Sequence, residues 1–596
     1  MAEPSASGGS EPVAAGETLT GSQLISSLNP AQRQAALALV GPVRILAGPG
    51  TGKTRTITHR IAYGVREGVY DPNRVLALTF TARAAGELRG RLAQLQVPTV
   101  QARTFHSAAL RQLGYFWTHV VGGQMPRIVP SKSRFVAEAC ERLEVRADPL
   151  RIRAIAEQLE WRKVRELDLE SFAQLLDSGA HLPAANLTVQ QAVAVAEMYE
   201  QVKDERRVID FEDVLLATAG MLETESWVTQ QIREQYRFFV VDEYQDVSPL
   251  QHKLLKLWMG NRRELCVVGD AAQTIFSFAG ANANYLTDFE REFADARTIR
   301  LDENYRSTPA ILTAANSLAT QIPHAVALVA ADETAAEGRT PDLTELPDDE
   351  SEARLIATRI CEAMAAGEPA REIAVLVRTN AQTAAIERAL QDANLPYRMP
   401  GSEPFFRRPE VRAAIAGLNA AAVAGDGRPL FQVVSDVLRD RGWTVERPTG
   451  NRELERVWAS LDALIKLADA EPDGTTIREF AADMVHRASL QHEPKIDAVT
   501  VATMHSAKGL EWNRVMVAGL SDRLLPVPQA NTAEFIAEER RLLYVALTRA
   551  RTHLRLTYAS SSQSAESAAP SRFLEELGNR IRRGSFGAAP VEPPRG

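Results

Sequence analysis

Residues 43–54 read VRILAGPGTGKT, and no other stretch constrains the fold as tightly. Val43 to Leu46 form a short apolar run of the kind that lies buried on both faces of a parallel sheet. A glycine-rich turn follows, and Lys53-Thr54 open an amphipathic helical pattern. Strand, glycine loop and helix in this order make a phosphate-binding loop, with Ala47 where the common pattern has its first glycine. The loop runs Ala47, Gly48, Pro49, Gly50, Thr51, Gly52. Its glycines permit the torsions that turn successive N–H groups toward phosphate oxygens. The helix starting at Lys53 adds its positive end. Lys53 is suited to reach β- and γ-phosphates, and Thr54 to ligate Mg²⁺.

A loop of this type needs an acidic strand end nearby, and FFVVDEYQD (238–246) supplies one. Four apolar residues end abruptly in carboxylates, at the place where open α/β sheets put their ligands. Asp242 suits a Mg²⁺ ion held through its water shell, and Glu243 suits the base that polarises an attacking water. The two signals converge on nucleoside triphosphate hydrolysis. Two further strands end in polar residues: ELCVVGD (264–270), followed by Gln273, and RTIRL (297–301), leading to Asn304-Tyr305-Arg306-Ser307.

The 596 residues imply three or four domains at roughly 150 residues each. With 45% hydrophobic and 24% charged residues the composition is that of an ordinary soluble protein. No apolar run approaches the ~20 residues that span a bilayer. The first twenty residues are small and polar without a signal region, and read as a disordered tail with no export. Cys140, Cys266 and Cys361 lie far apart, which argues against disulfides and zinc sites and fits a reducing cytoplasm. A net charge of -8 argues against coating nucleic acid through bulk charge, but leaves room for a local basic groove.

The order of the motifs carries more than any one of them. NPAQRQAA (29–36), AGPGTGKT (47–54), TFTARAAGELRGR (79–91), ARTFHS (102–107), VVDEYQDVSPLQ (240–251), VVGDAAQTIFSFAGA (267–281), LDENYRS (301–307), FFRRPEVRAAI (405–415), VATMHSAKGLEW (501–512) and EERRLLYVALTRAR (538–551) follow one another along the chain. In this the chain resembles the UvrD/Rep/PcrA family of superfamily 1 helicases, from about residue 28 to 560. Within the family it is most similar to the shorter UvrD-like helicases of actinobacteria.

The resemblance implies an α/β fold of two RecA-like P-loop domains with parallel sheets, each carrying a mainly helical insertion. It implies that Gln32 recognises adenine, Tyr305 stacks on the base, Arg55 lies near the nucleotide, and Glu511 meets the ribose. Gln273 would sense the γ-phosphate, and Arg306 and Arg549 would act as arginine fingers across the cleft. Phe80, Phe105, Phe276 and Phe278 fall at or near the family's DNA-facing positions. Thr81, Arg83, Thr104, His106 and His505 would be phosphate or sugar contacts, and Lys508 would bridge the DNA and nucleotide sides. Two departures stand out: Ala279 where the family usually has Arg, and Ala82 where it usually has Asn. The first removes a cation and shifts weight onto stacking.

The expected organisation is a first domain over 21–115 and 206–300, with strands at 43–47, 75–80, 237–242 and 264–269 and an insertion at 116–205. The second domain takes 301–418 and 495–575, with strands near 297–302, 373–378, 499–503, 514–519 and 553–558, and a reduced insertion at 419–494. Residues 331–350 read as a polar surface loop, and 580–596 as a disordered tail. A cysteine-rich element and a helical nucleic-acid-binding domain carried by some relatives are expected to be lacking, which favours translocation over autonomous unwinding.

The resemblance thus implies an ATP- and Mg²⁺-dependent motor expected to move 3′ to 5′ on single-stranded DNA in repair, recombination or replication. Its expected partners are single-stranded and tailed duplex DNA and a DNA-repair protein, with the chain a monomer or weak dimer, nucleoid-associated in the cytoplasm. The alternatives are the motor subunit of a helicase–nuclease complex, an ATPase with little unwinding of its own, and a non-motor binding protein.

Overall fold

Two parallel sheets collect the chain's apolar runs, and the ends of their strands build the site. The computed structural model describes residues 19–585 except 180, 333–336, 400–404, 426, 447, 449–451, 473, 491–496 and 562–567. The first sheet opens with β1 (Val43–Ala47), β2 (Val75–Thr79) and β3 (Gln101–Thr104). A short parallel ribbon of β4 (Arg127–Ile128) and β5 (Val208–Ile209) lies in the insertion that follows. The sheet then resumes with β6 (Phe238–Val241), β7 (Leu265–Gly269) and β8 (Arg297–Leu301). Its order is β3-β2-β6-β7-β1-β8, parallel throughout.

Successive side chains on a strand point to opposite faces, and both faces are covered. Val43, Ile45, Ala77, Val240 and Val268 pack with Ile57, Ile61, Leu88 and Leu92 from the helices Lys53–Arg66 and Ala82–Gln94. Leu76, Phe239, Val241 and Val267 face Phe105, Leu254 and Trp258 on the other side. Only β7 separates β1 from β6, so the phosphate loop, Asp242-Glu243 and Asp270 leave one edge of the sheet side by side.

Between the sheets β9 (Glu303–Asn304) pairs with β10 (Val329–Ala330). The second sheet contains β11 (Asp342–Leu346), β12 (Ile373–Val377), β13 (Tyr397–Arg398), β14 (Val499–Thr503), β15 (Trp512–Val517), β16 (Ala550–Ala559) and β17 (Arg582–Ser585). Their order is β13-β14-β12-β15-β16-β11-β17, also parallel.

Several boundaries differ from the expectation. The strand near 297–302 belongs to the first sheet, where β8 pairs with β1 from Val43↔Arg297 to Ala47↔Leu301. As an edge strand it buries only Ile299 and Leu301, which is why its sequence alternates. β3 was hidden inside ARTFHS, because Gln101 and Arg103 interrupt its apolar pattern. The polar stretch 331–350 contains β11, whose Asp342 is matched by Arg555, Arg339 and Arg582. Residues 582–585 of the expected tail are β17, paired with β11. Residues 1–18 and 586–596 lie outside the described residues, while Thr20 caps the helix Gly21–Ser26.

The inserted units are also framed differently. Phe116 packs in the first domain's core, so the first unit runs from β4 to β5 rather than over 116–205. Its helices Ser133–Arg142, Pro149–Val164, Leu169–Asp177 and Val189–Glu205 enclose Val136, Leu159, Phe172, Val195 and Tyr199. Lys163 and Lys203 anchor it to the domain by ion pairs to Asp210 (2.8 Å) and Asp213 (2.5 Å) at the start of the helix Phe211–Thr224. Burial opposes the Asp210 charge, but the two lysines hold its carboxyl well below the usual range. The second unit's core begins at Phe405, not at 419, and includes Leu418, Leu438, Leu464 and Met484. The helix Pro409–Ala424 therefore belongs to the insertion rather than to the second domain.

Candidate nucleotide cleft and nucleic-acid face

The phosphate loop follows β1 and is tied down from several directions. Thr51 Oγ1 donates to the Gly48 carbonyl at 2.8 Å, and Asn304 Nδ2 donates to that of Pro49 at 2.6 Å. Gly50 and Gly52 have φ of 72° and 82°. A Cβ on Gly50 would sit 2.4 Å from Asn304 Nδ2, and one on Gly52 would sit 2.7 Å from Gln32 Nε2, so both torsion and close approach require glycine. Lys53 Nζ lies over the loop, donating to the carbonyls of Ala47 (3.2 Å) and Gly48 (3.4 Å).

Facing Lys53 is a set of buried carboxylates. Burial and the adjacent Glu243 push Asp242 up to about 7, against the pull of Lys53. Burial would raise Glu243 too, but Lys53, Lys508 and a 2.6 Å bond from Gln245 Nε2 outweigh it and hold that carboxyl low. Glu243 also has a left-handed backbone, φ 53°, an uncommon conformation for a side chain with a Cβ. Burial raises Asp246 to about 6 and raises Asp270 as well.

The second domain closes the cleft. Gln273 Nε2 donates to Asp270 Oδ2 at 2.8 Å, while its Oε1 accepts from Arg549 at 3.4 Å. Arg549 is 2% exposed and also donates to Val545 and Leu510 carbonyls. Burial and the neighbouring Arg306 lower its pKa. Arg306 bonds the Thr548 carbonyl and pairs with Glu511 at 2.5 Å, and Glu511 pairs again with Arg551 at 2.6 Å. Among the described residues Arg549 is buried with no carboxylate paired to it, and the half-buried Arg306 shares Glu511 with Arg551, so this corner of the cleft suits an anion. Lys508 completes the seam, bonding Asp246 and the Gln273 carbonyl (2.6 Å).

Around the rim, Gln32 is buried and both ends of its amide are engaged, with the Asn29 N–H and the Thr51 carbonyl. Tyr305 is 57% exposed, its hydroxyl held by Asn29 and Glu303, which leaves a ring face open. Arg55 reaches the Ser27 carbonyl from the exposed side of its helix. Thr54 stands half-buried on the first helical turn.

The expected nucleic-acid residues divide in two. Phe80 and Phe276 stack at 5.5 Å and 15°, and Phe276 meets Phe278 edge-on at 6.0 Å. His505 packs against both Phe276 and Phe278, and Lys508 lies 5.1 Å from the Phe276 ring centre. Phe80 and Phe278 remain 40% and 55% exposed, so this is a row of rings open to solvent. Burial, with Arg378 and Lys508 nearby, lowers His505 to about 4, so it contributes a neutral ring rather than a charge.

The others flank this row. Thr81 and Thr104 each cap a helix, accepting from Ala84 and Ser107 N–H at 3.1 Å; Thr104 ends β3 and Thr81 lies two residues beyond the end of the neighbouring β2. Arg83 is exposed. Phe105 is the correction: at 3% exposure it stacks on Trp258 inside the core and faces no surface. His106 beside it packs edge-on against Phe211 at 6.2 Å. Phe211, 47% exposed at the start of its helix, is the aromatic that sequence reading missed. Its one signal was an aromatic directly after the capping residue Asp210.

The profile of the UvrD/REP helicase N-terminal domain matches residues 28–294, and that of the UvrD-like helicase C-terminal domain matches 299–466 and 445–561. The chain is 41% identical over 584 residues to the ATP-dependent DNA helicase UvrD2 of Mycobacterium tuberculosis, covering 94% of this chain and 83% of that protein. The figures for UvrD2 of Mycobacterium bovis are the same. It is 27% identical over 649 residues to the ATP-dependent DNA helicase PcrA of Staphylococcus aureus, covering 93% of this chain and 86% of the relative.

Proposed function

The chain belongs to the UvrD/Rep family of helicases, and from that premise we propose that it is an ATP- and Mg²⁺-driven motor moving 3′ to 5′ along single-stranded DNA. One observation carries the reading. The short segment 270–278 holds Gln273 between Asp270 and Arg549, then presents Phe276 and Phe278 to the aromatic row. A single loop thus touches both the hydrolysis cleft and the surface suited to stacking bases.

Lys53 and the N–H groups of Gly50–Thr54 bind the β- and γ-phosphates, Gln32 and Tyr305 hold the base, and Arg55 and Glu511 flank the nucleotide. For Gln32 and Glu511 this requires exchanging some of the hydrogen bonds and ion pairs described above. Glu243 takes the proton of the attacking water, Gln273 orients that water, and Arg306 and Arg549 neutralise charge developing on the transferred group. The Thr54 hydroxyl and Asp242 carboxylate are hard oxygen donors. They fit Mg²⁺, which takes one or two protein ligands and fills its shell with water and phosphate. Bound there, the ion would screen the phosphate charge. Phe80, Phe276 and Phe278 stack on bases, with Thr81, Arg83, Thr104, His106 and His505 along the backbone.

ATP turnover measured without nucleic acid, and with single-stranded DNA, blunt duplex or single-stranded RNA, tests the reading. Strong stimulation by single-stranded DNA, abolished by Lys53→Ala, is expected. Equal rates in all four conditions would sink it. Polarity follows from displacement of a blocking protein from one labelled end of a strand.

A further inference from the structure

The loop after β7 leaves the first sheet at Asp270 but is built into the other domain. Ala272 and Ile275 are fully buried in the second domain's core, together with Leu542, Val545 and Leu547. Two polar tethers reinforce this. Ser277 N–H donates to Glu538 Oε1 at 3.1 Å, and Arg541 Nε donates to the Thr274 carbonyl at 2.7 Å.

Glu538 and Arg541 lie three residues apart on the helix Ala533–Leu547, and so share a face. The same helix delivers Arg549 to Gln273 just beyond its C-terminus. From Glu538 to the helix end is about 14 Å at 1.5 Å per residue. One rigid element therefore grips the loop at two places, at Gln273 in the cleft and at Ser277 between Phe276 and Phe278.

Stability alone does not account for these residues. Glu538 is 8% exposed, and burying a carboxylate is unfavourable unless it is well paired. Its neighbours on the helix, Leu542 and Leu543, are buried apolar residues that would pack without that cost.

We propose that Glu538 and Arg541 are positioning residues that clamp the Thr274–Ser277 backbone to the second domain, making closure on the nucleotide and movement of Phe276 and Phe278 on DNA a single motion. The inference rests on the motor reading above. It predicts that removing either tether uncouples the two ligands without removing either site.

The test is a linkage measurement on the full chain. The affinity for a fluorescent oligothymidylate is measured with and without a non-hydrolysable ATP analogue and Mg²⁺. Couplings between sites run at about 5–150-fold, and the wild type is expected to fall in that range. In Glu538→Ala and Arg541→Ala the ratio should fall to within about twofold of one. Analogue affinity without DNA, and DNA affinity without analogue, should stay unchanged. Glu538→Gln keeps an oxygen for Ser277 N–H and should retain the ratio.

If both alanine variants keep the wild-type ratio, the clamp is overturned and the motor reading stands. A wild-type ratio of one overturns both. Should Glu538→Ala fail to fold, Arg541→Ala removes a separate tether and decides the matter.

Discussion

The nucleotide cleft and the aromatic row are built on opposite rules. In the cleft, Asp242, Asp270, Arg549 and Gln273 are buried, with charges outnumbering good partners. In the row, Phe80 and Phe278 are large apolar rings left in solvent. Each arrangement is unfavourable alone and becomes favourable with the right ligand: an anion and cation for the first, planar bases for the second. The two lie a few residues apart on one loop. Function in this chain sits where burial and side-chain type disagree.

The sharpest break of that comparison is Arg549→Ala. An arginine finger is typically worth 10³–10⁵ in rate, so DNA-stimulated turnover should fall by about that factor, with single-stranded DNA affinity within about twofold of wild type. A parallel loss of DNA binding in titrations would show that the two regions are not separable. Phe105→Ala is the next largest effect and separates core rings from row rings. Removing a buried Phe costs about 3–5 kcal/mol, read from the denaturant midpoint of the first domain's transition. DNA affinity per folded molecule should not change. A specific loss of affinity at full stability would restore Phe105 to the DNA face.

These two outcomes also mark what was legible in the sequence. The phosphate loop, Asp242-Glu243, Gln273 and Arg306 were readable because strand ends in a parallel sheet converge, and short contiguous motifs name those ends; Arg549, between a helix and the start of β16, came only from the family resemblance. β1, β2, β6 and β7 were readable because strands buried on both faces are continuous apolar runs. β8 was read as a strand but put in the wrong sheet, because its alternation does not say which sheet it edges. β3, β11 and β17 were not read: they are polar, with register set by ion pairs such as Arg582–Asp342 that link residues far apart in sequence. Phe105 was misjudged, and Phe211 passed over, for the same reason. Both sit at the first position of a capped helix, and only tertiary packing turns one toward Trp258 and the other toward solvent.

Phe278→Ala tests the row itself. Stacking is worth about 1–3 kcal/mol per base, so the dissociation constant for oligothymidylate should rise by about 5–150-fold. Turnover at saturating DNA should fall much less. Phe278→Trp preserves a stacking face and should bind at least as well. If alanine were tolerated, the exposed rings would not be the binding surface.

Arg83→Ala carries the smallest expected effect and sharpens the balance between charge and stacking. Among the described residues Arg83 has no ion pair or hydrogen bond, so its charge is free for a phosphate. Releasing one contact should flatten the plot of log affinity against log salt by about 0.7 for a single strand, with only a small loss of affinity near physiological salt. The chain lacks the cation that Ala279 replaces, and His505 is held neutral, so each remaining arginine supplies a larger share of a shallow slope. A steep wild-type slope that Arg83→Ala leaves untouched would place the phosphate contacts elsewhere. It would leave the aromatic row as the only part of this face that reads the strand.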